Sequence, residues 1–177
     1  MQPAFHISIR HRLILPMAAV AILLPLPGRS YAGVPYTKVN RILIEKSKRT
    51  LELMDGAIVV KTYKIALGGE PKDAKERQGD HKTSEGLYVV DAKKPNSQFH
   101  KALHVSYPNT EDRERARKLG ADPGGDIEIH GLGSKWGWIG SGHRAMDWTD
   151  GCIAVTNKDI DEIYPLIRVG TPVEIRP

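Results

Sequence analysis

The chain has 177 residues, a single cysteine and a formal net charge of +5. Arg10, Arg12 and Arg29 precede residue 33 with no acid among them, so the remaining 145 residues carry only +2. With basic residues interspersed among acidic ones, this balance gives no electrostatic footprint for nucleic acid, which excludes DNA and RNA as expected partners. The length suits one domain that buries a core without disulfide bonds.

The chain begins with the features of an export signal. The basic tripeptide at 10–12 precedes an apolar stretch at 13–26, and Ser30-Tyr31-Ala32 supplies small residues where a signal peptidase reads them. Residues 1–32 are therefore predicted to be a secretory signal peptide, followed by a short leader at 33–37. A retained membrane anchor is the alternative, but a bilayer span needs about 20 apolar residues. The pattern predicts an exported protein of the periplasm or cell envelope.

The chain then continues as short segments with strand character, bounded by Gly, Pro or Asn and partly β-branched. Ser47-Lys48 and Asp55-Gly56 are turn signals that join the first three segments as a meander. The strands are predicted at 41–46, 50–54, 57–67, 87–90, 102–106, 126–130, 152–155 and 173–175.

Two segments have helical character instead. Residues 110–119 are polar and are followed by Gly120, while 157–164 places its isoleucines three or four residues apart. Thr156 or Asn157 is expected to cap this second helix, and Pro165 to end or kink it. The sequence therefore predicts a mainly β fold, a β-sandwich or partly closed β structure with one or two small helices.

Cys152 is the candidate nucleophile and His130 its candidate base. A lone thiol cannot form an internal disulfide, and a neighbouring imidazole can take its proton, so a Cys and a His brought together are typical of acyl transfer. The alternative is that Cys152 is a small buried apolar residue.

The order of the motifs resembles the catalytic domain of the L,D-transpeptidases. The segment Gly79–Gly86 is similar to that family's Gly-x-x-x-Thr-Pro-x-Gly sequence, with Ser84 where proline is usual. The other matching segments are Ile129-His130-Gly131, a glycine-rich loop, Gly151-Cys152-Ile153, Asn157–Ile160 and Val169–Val173. The resemblance covers roughly residues 38–177. It implies a β-sandwich enzyme that acts on peptidoglycan stem peptides through a cysteine acyl-enzyme.

The resemblance also implies residue roles. Cys152 matches the nucleophile, His130 the base, and the backbone carbonyl of Gly131 the group that orients the imidazole. No metal or other cofactor is required. The candidate substrate-binding residues are Tyr107, Trp148, Asp150 and Gly151.

Each substrate contact has a structural alternative. Tyr107 follows a strand where the family lines its donor cleft, and is otherwise a strand-end aromatic. Gly151 lets a substrate carbonyl approach, or is a turn residue. Trp148, with Trp136 and Trp138, forms an aromatic wall or packs its own loop.

The chain departs from the family pattern near the nucleophile. Thr149-Asp150 replaces the usual Ser-His, so a carboxylate is expected to raise the pKa of the thiol. Ala154 stands in place of the usual arginine, and His130 and Cys152 are 22 positions apart, which is longer than usual. These differences leave the acyl acceptor open. An amine of a second stem peptide gives a 3→3 cross-link, an envelope lipoprotein lysine gives an anchored protein, and water gives a carboxypeptidase or amidase.

Two other classes remain as alternatives. A zinc site could combine Cys152, His130, His143 and Asp147 or Asp150, although no compact pair of ligands starts it. A noncatalytic envelope-binding module on the same fold is the other alternative, with Ser84 loosening the loop beside the cleft.

Overall fold

A computed structural model describes residues 38–177, and the predicted signal peptide and leader lie outside this range. The strands are β1 (Arg41–Glu45), β2 (Thr50–Asp55), β3 (Ile58–Lys64), β4 (Gly86–Ser97), β5 (His100–Val105), β6 (Glu128–His130), β7 (Ile153–Ala154) and β8 (Pro172–Arg176). The helices are α1 (Thr110–Lys118), α2 (Gly133–Trp136) and α3 (Asn157–Leu166), and a 3-10 segment covers Gly137–Ala145. Within the described residues, no helix is long and apolar enough to cross a bilayer.

The strands form one sheet in the order β3-β2-β1-β8-β4-β5-β6-β7. The first three form the predicted antiparallel meander, and β8 lies parallel to β1. Strand β4 joins the two halves, because residues 86–89 pair with β8 while later residues pair with β5. The mainly β prediction is confirmed, and the third short helix, α2, was not anticipated.

The two halves of the sheet bury one apolar core. Alternate residues of the strands, such as Ile42 and Ile44 of β1, point into it and are fully buried. Helix α3 covers the core with Ile160 and Ile163. Its N-terminus is fixed by a capping box in which the Thr156 side chain accepts from the Asp159 amide. Of the two predicted caps, Thr156 and Asn157, the helix uses Thr156.

Two strands, β3 and β4, end at residues other than those predicted. Their ends are set by hydrogen-bonded pairing with other segments and not by the alternation of apolar residues. Strand β4 was expected to end at residue 90, but its polar continuation to Ser97 forms a hairpin with β5. Strand β3 ends at Lys64, and Ala66 instead bridges to Ala154, donating and accepting at 2.9 Å. This bridge ties the end of the meander to the segment that carries Cys152.

The long loop between β3 and β4 is held by a buried lysine. Lys46 is 2% exposed, and its ammonium donates to the carbonyls of Asp73 and Thr83 at 2.5 and 3.1 Å and to Glu85 at 2.6 Å. Three partners satisfy the three N–H donors of an ammonium and offset the cost of burying its charge. The loop therefore has a fixed course without a helix or strand.

Candidate active site

Strands β6 and β7 bring the predicted nucleophile and base to one cavity. The two strands are parallel, with His130 at the end of β6 opposite Ala154 of β7. Cys152 directly precedes β7. Cys152 and His130 both line a cavity of about 710 Å³, together with Trp148 and Asp150. Four residues that the sequence assigned to the site therefore share one concavity.

The imidazole of His130 is held in one tautomer. Its Nδ1 donates to the Gly131 carbonyl at 2.6 Å, which leaves Nε2 unprotonated and able to accept a proton. Phe99 stacks on the ring at a centroid distance of 4.3 Å, and Trp148 meets it edge-on at 6.2 Å. His130 is 1% exposed, and this burial lowers its pKa, so the ring is neutral at neutral pH.

The thiol of Cys152 is half-buried and lies among carboxylates. Its Sγ donates to the backbone carbonyl of Asp126 at 3.4 Å. Burial, and then the charges of Glu128, Asp150 and Asp126, raise the pKa of Cys152 to about 11. The charge of Asp150 raises the pKa of the thiol, as the sequence predicts. The resting pair is consequently a neutral thiol and a neutral imidazole.

We expect the alkylation rate of Cys152 by iodoacetamide to rise with pH towards a midpoint near pH 11, because the thiolate reacts and its formation is disfavoured here. The single cysteine makes the measurement specific, with adduct mass as the readout. Asp150→Asn is expected to lower the midpoint, whereas Glu114→Gln on exposed α1 is not. A wild-type midpoint at or below 9, the ordinary thiol value, would contradict this assignment.

Gly151 occupies a backbone conformation that favours glycine. Its φ is +131°, and an added Cβ would lie 2.7 Å from the Lys82 carbonyl oxygen. The Thr149 hydroxyl closes the turn by accepting from the Gly151 amide at 3.1 Å and donating to the Cys152 carbonyl at 2.7 Å. The absence of a side chain at 151 is therefore required by the close approach of the β3–β4 loop.

The β3–β4 loop forms the opposite wall of the cavity. Gly69 donates to the Thr149 carbonyl at 3.0 Å, which joins the loop to the nucleophile segment. On the rim, His81 Nδ1 lies 2.8 Å from Asp150, and both side chains are exposed. These two residues are 69 positions apart, and no sequence pattern predicts their pairing.

The same wall is stabilised by a partly buried ion pair between Lys75 and Asp80, 2.7 Å apart. Burial opposes ionisation of Asp80, but the Lys75 ammonium and the backbone amides of Glu76, Arg77 and Lys82 prevail and lower its pKa to about 2. Because the folded-state pKa of Asp80 lies below its ordinary value of 3.8, its ionisation stabilises the folded protein at pH values above 3.8. This stabilisation is lost as the pH falls through about 2.

We therefore expect Asp80→Asn to reduce the free energy of unfolding at neutral pH by about 1–2 kcal/mol, allowing for solvent screening. The difference from wild type should shrink as pH falls from about 4 towards about 2. Urea unfolding at both ends of this range measures it. Glu114→Gln, which removes an exposed pair with Arg117, is the matched control. A penalty that does not change with pH would contradict the prediction.

Tyr107 lies apart from this cavity. Its ring is buried in the core, and its hydroxyl donates to the Pro123 carbonyl at 2.9 Å. Tyr107 is not among the residues that line the cavity with Cys152. This is the position of a buried packing residue, and a substrate contact at Tyr107 stays a prediction.

The residues of the zinc alternative have other partners or positions. Asp147 accepts from the Arg49 guanidinium at 2.7 Å and from the Leu67 amide at 2.9 Å. His143 lies in the 3-10 segment beside Trp148. Over residues 38–177, no group of three or more His, Cys, Asp or Glu side chains is arranged to hold a metal ion.

The three tryptophans between β6 and β7 differ in position, and one of them lines the cavity. Trp148 lines the cavity, whereas Trp138 is 79% exposed and lines no part of it. Trp136 and Trp148 border a second groove of about 300 Å³.

Phe99 is a residue of the site that the sequence analysis missed. It lies at the tip of the β4–β5 hairpin, and no motif marks it.

Comparison with known proteins agrees with this geometry. The family model described as the YkuD L,D-transpeptidase catalytic domain matches residues 39–175. The protein named "Putative L,D-transpeptidase YafK" of Escherichia coli (strain K12) is 30% identical over an alignment of 170 positions, which covers 88% of this chain and 60% of that protein. The chain thus spans about three fifths of the length of this relative.

Solved structures share the fold. The helical cell shape determining protein Pgp2 from Campylobacter jejuni superposes with a TM-score of 0.60 and 26% identity, over 77% of this chain and 47% of that one. An L,D-transpeptidase from Mycobacterium smegmatis has a TM-score of 0.50 and 15% identity, over 77% and 58%. The match to most of the chain and the shared fold lead to one conclusion: this chain belongs to the YkuD family of L,D-transpeptidase catalytic domains.

Proposed function

We propose that this chain is an exported cysteine acyltransferase that acts on peptidoglycan stem peptides, an L,D-transpeptidase of the periplasm or cell envelope. The observation that carries the proposal is the cavity that Cys152 and His130 line together, with His130 oriented by the Gly131 carbonyl. Family membership supports the substrate class. Export rests on the sequence features of residues 1–32.

The neutral resting pair favours general-base catalysis over a preformed ion pair. As Sγ attacks the carbonyl carbon of the stem-peptide diamino acid, Nε2 of His130 takes the thiol proton. The tetrahedral intermediate then collapses, the proton passes to the nitrogen of the terminal D-amino acid, and that amino acid leaves. Cys152 is left as a thioester.

One of the carboxylates that oppose thiolate formation, Glu128, also assists this step. Glu128 raises the pKa of His130 by its charge, although burial has the larger, opposite effect. An imidazolium that forms during attack is therefore stabilised by a nearby anion, while a free thiolate is not. The arrangement favours proton transfer concerted with attack.

The acceptor of the second transfer decides the product. In each case His130 removes a proton from the attacking group, and the thiol is regenerated. The amine of a second stem peptide gives a 3→3 cross-link, a lipoprotein lysine gives an anchored protein, and water gives a shortened stem peptide. Likeness to a protein that determines helical cell shape supports a role for this chain in cell shape.

The proposal is tested by incubating the purified protein with sacculi and with isolated muropeptides and by measuring product masses. New dimers are expected from transfer between stem peptides, and trimmed monomers would instead assign hydrolysis. Cys152→Ala is the blank. If products match the blank, a carbapenem forms no adduct and Cys152→Ala binds cell wall as wild type does, the chain is a binding module and the proposal is wrong.

A further inference from the structure

His143 is a buried imidazole that the proposed chemistry does not use. It lies in the 3-10 segment, is 8% exposed, and its Nε2 is buried without a hydrogen-bond partner among the described residues. Its Nδ1 accepts a long, 3.5 Å hydrogen bond from the indole N–H of Trp148, and the two rings meet at 88°. A buried polar group of this kind is costly and calls for a reason.

Trp148 connects His143 to the catalytic base. The Trp148 amide donates to the Leu67 carbonyl at 3.1 Å, which fixes the main chain but not the side chain. The ring is 40% exposed and meets the His130 ring edge-on. A half-exposed indole can rotate towards solvent, so the polar contact at its nitrogen selects the conformation that covers the base.

We propose that His143 is a positioning residue for His130, which it serves by holding the Trp148 indole against the edge of the catalytic imidazole. Phe99 already covers one face of that imidazole. Trp148 adds the second side of the enclosure that orients the ring and keeps water from it. The proposal rests on the proposed function, since it assumes that His130 is the base.

The protonation state of His143 is compatible with this role. Burial, followed by the charge of Arg144, lowers the pKa of His143 to about 4. The other ionisable groups that act on it are Asp159, which opposes this effect, and His130. At neutral pH the ring is uncharged, so Nδ1 can accept a hydrogen bond from the indole N–H while Nε2 carries the ring proton.

The test compares His143→Leu, which removes the acceptor, with His143→Asn, whose side-chain oxygen replaces Nδ1. For His143→Leu we expect kcat to fall about tenfold, with KM within about twofold of wild type, because a small displacement of a catalytic group slows the chemical step. The acid limb of the kcat/KM profile should move to higher pH, since water then reaches His130 and raises its pKa. His143→Asn should stay within about threefold of wild type.

Trp148→Phe supplies the thermodynamic cycle. Phenylalanine has no N–H, so Trp148→Phe alone should reproduce the loss, and adding His143→Leu should have no further effect. Trp138→Phe is the matched control, because that ring lies on neither cavity. Additive losses, or a wild-type pH profile in His143→Leu, would overturn the proposal and leave His143 with a packing role.

NMR titration of the His130 ring separates this inference from the proposed function. A rise in the pKa of His130 in His143→Leu but not in His143→Asn supports the positioning role even if no peptidoglycan substrate is turned over. An unchanged pKa in both variants overturns it. If His143→Leu does not fold, Trp148→Phe and His143→Asn give the same comparison.

Discussion

Cys152→Ala is expected to lower turnover of stem-peptide substrates by at least about 10⁴-fold, because no other group in the cavity can form the thioester. Asp126 and Asp150, which also line the cavity, are exposed, and neither is joined to the imidazole by a hydrogen bond. Product formation followed by mass spectrometry gives the rate, and intact mass after exposure to a carbapenem shows whether an acyl-enzyme forms.

A measurement of thermal stability shows whether the loss of turnover in Cys152→Ala comes from unfolding. Cys152 lies just outside β7 and is half-buried, so Cys152→Ala should shift the thermal midpoint by only a few degrees, as expected for a change of about 1 kcal/mol. Cys152→Ser keeps the shape of the side chain and should be nearly as inactive. A folded Cys152→Ala protein that retains more than about one hundredth of wild-type turnover would exclude a thioester mechanism.

His130→Asn is expected to lower kcat by about 10²–10⁴-fold at neutral pH, the usual contribution of a positioned general base. The remaining activity should increase steeply with pH, because the thiol then has to lose its proton to solvent and its pKa is about 11. The ratio of wild-type to variant rates should therefore shrink between about pH 7 and about pH 10. Rate profiles over this range measure the effect.

His100→Asn provides the control for this second variant. His100 pairs with Asp161 at 2.8 Å, and its φ of 81° is one that asparagine tolerates. It is not among the residues lining the cavity. His100→Asn should therefore retain wild-type turnover, and an equal loss in both variants would mean that His130 does not act as the base.

The sequence was sufficient for the features that depend on local pattern. Helix α3 was predictable because its isoleucines recur at helical spacing after a capping threonine. The meeting of Cys152 and His130 at one cavity was predictable, because motif order and a lone thiol point to one chemistry. The Gly131 carbonyl followed from resemblance, and the hydrogen bond from His130 has the predicted partner.

Contacts between distant segments could not be predicted in this way. Phe99 on His130 and His81 on Asp150 leave no periodic trace, because each pair is set by where segments distant in the sequence meet. The burial of Tyr107 was not predicted for a related reason: a strand end can face the core or a cleft, and sequence alone does not distinguish them. The polar half of β4 was missed because hairpin pairing needs no apolar residues.

The β4–β5 hairpin has a consequence for how this domain tolerates insertions and deletions. Exposed turns usually accept changes in length with little cost. Here Ser97 pairs with His100 across the turn, and the aromatic ring at its tip rests on the imidazole. Adding or removing one residue there would rotate or withdraw that ring. We therefore expect natural and engineered variants to conserve the length of this surface turn as strictly as an internal segment.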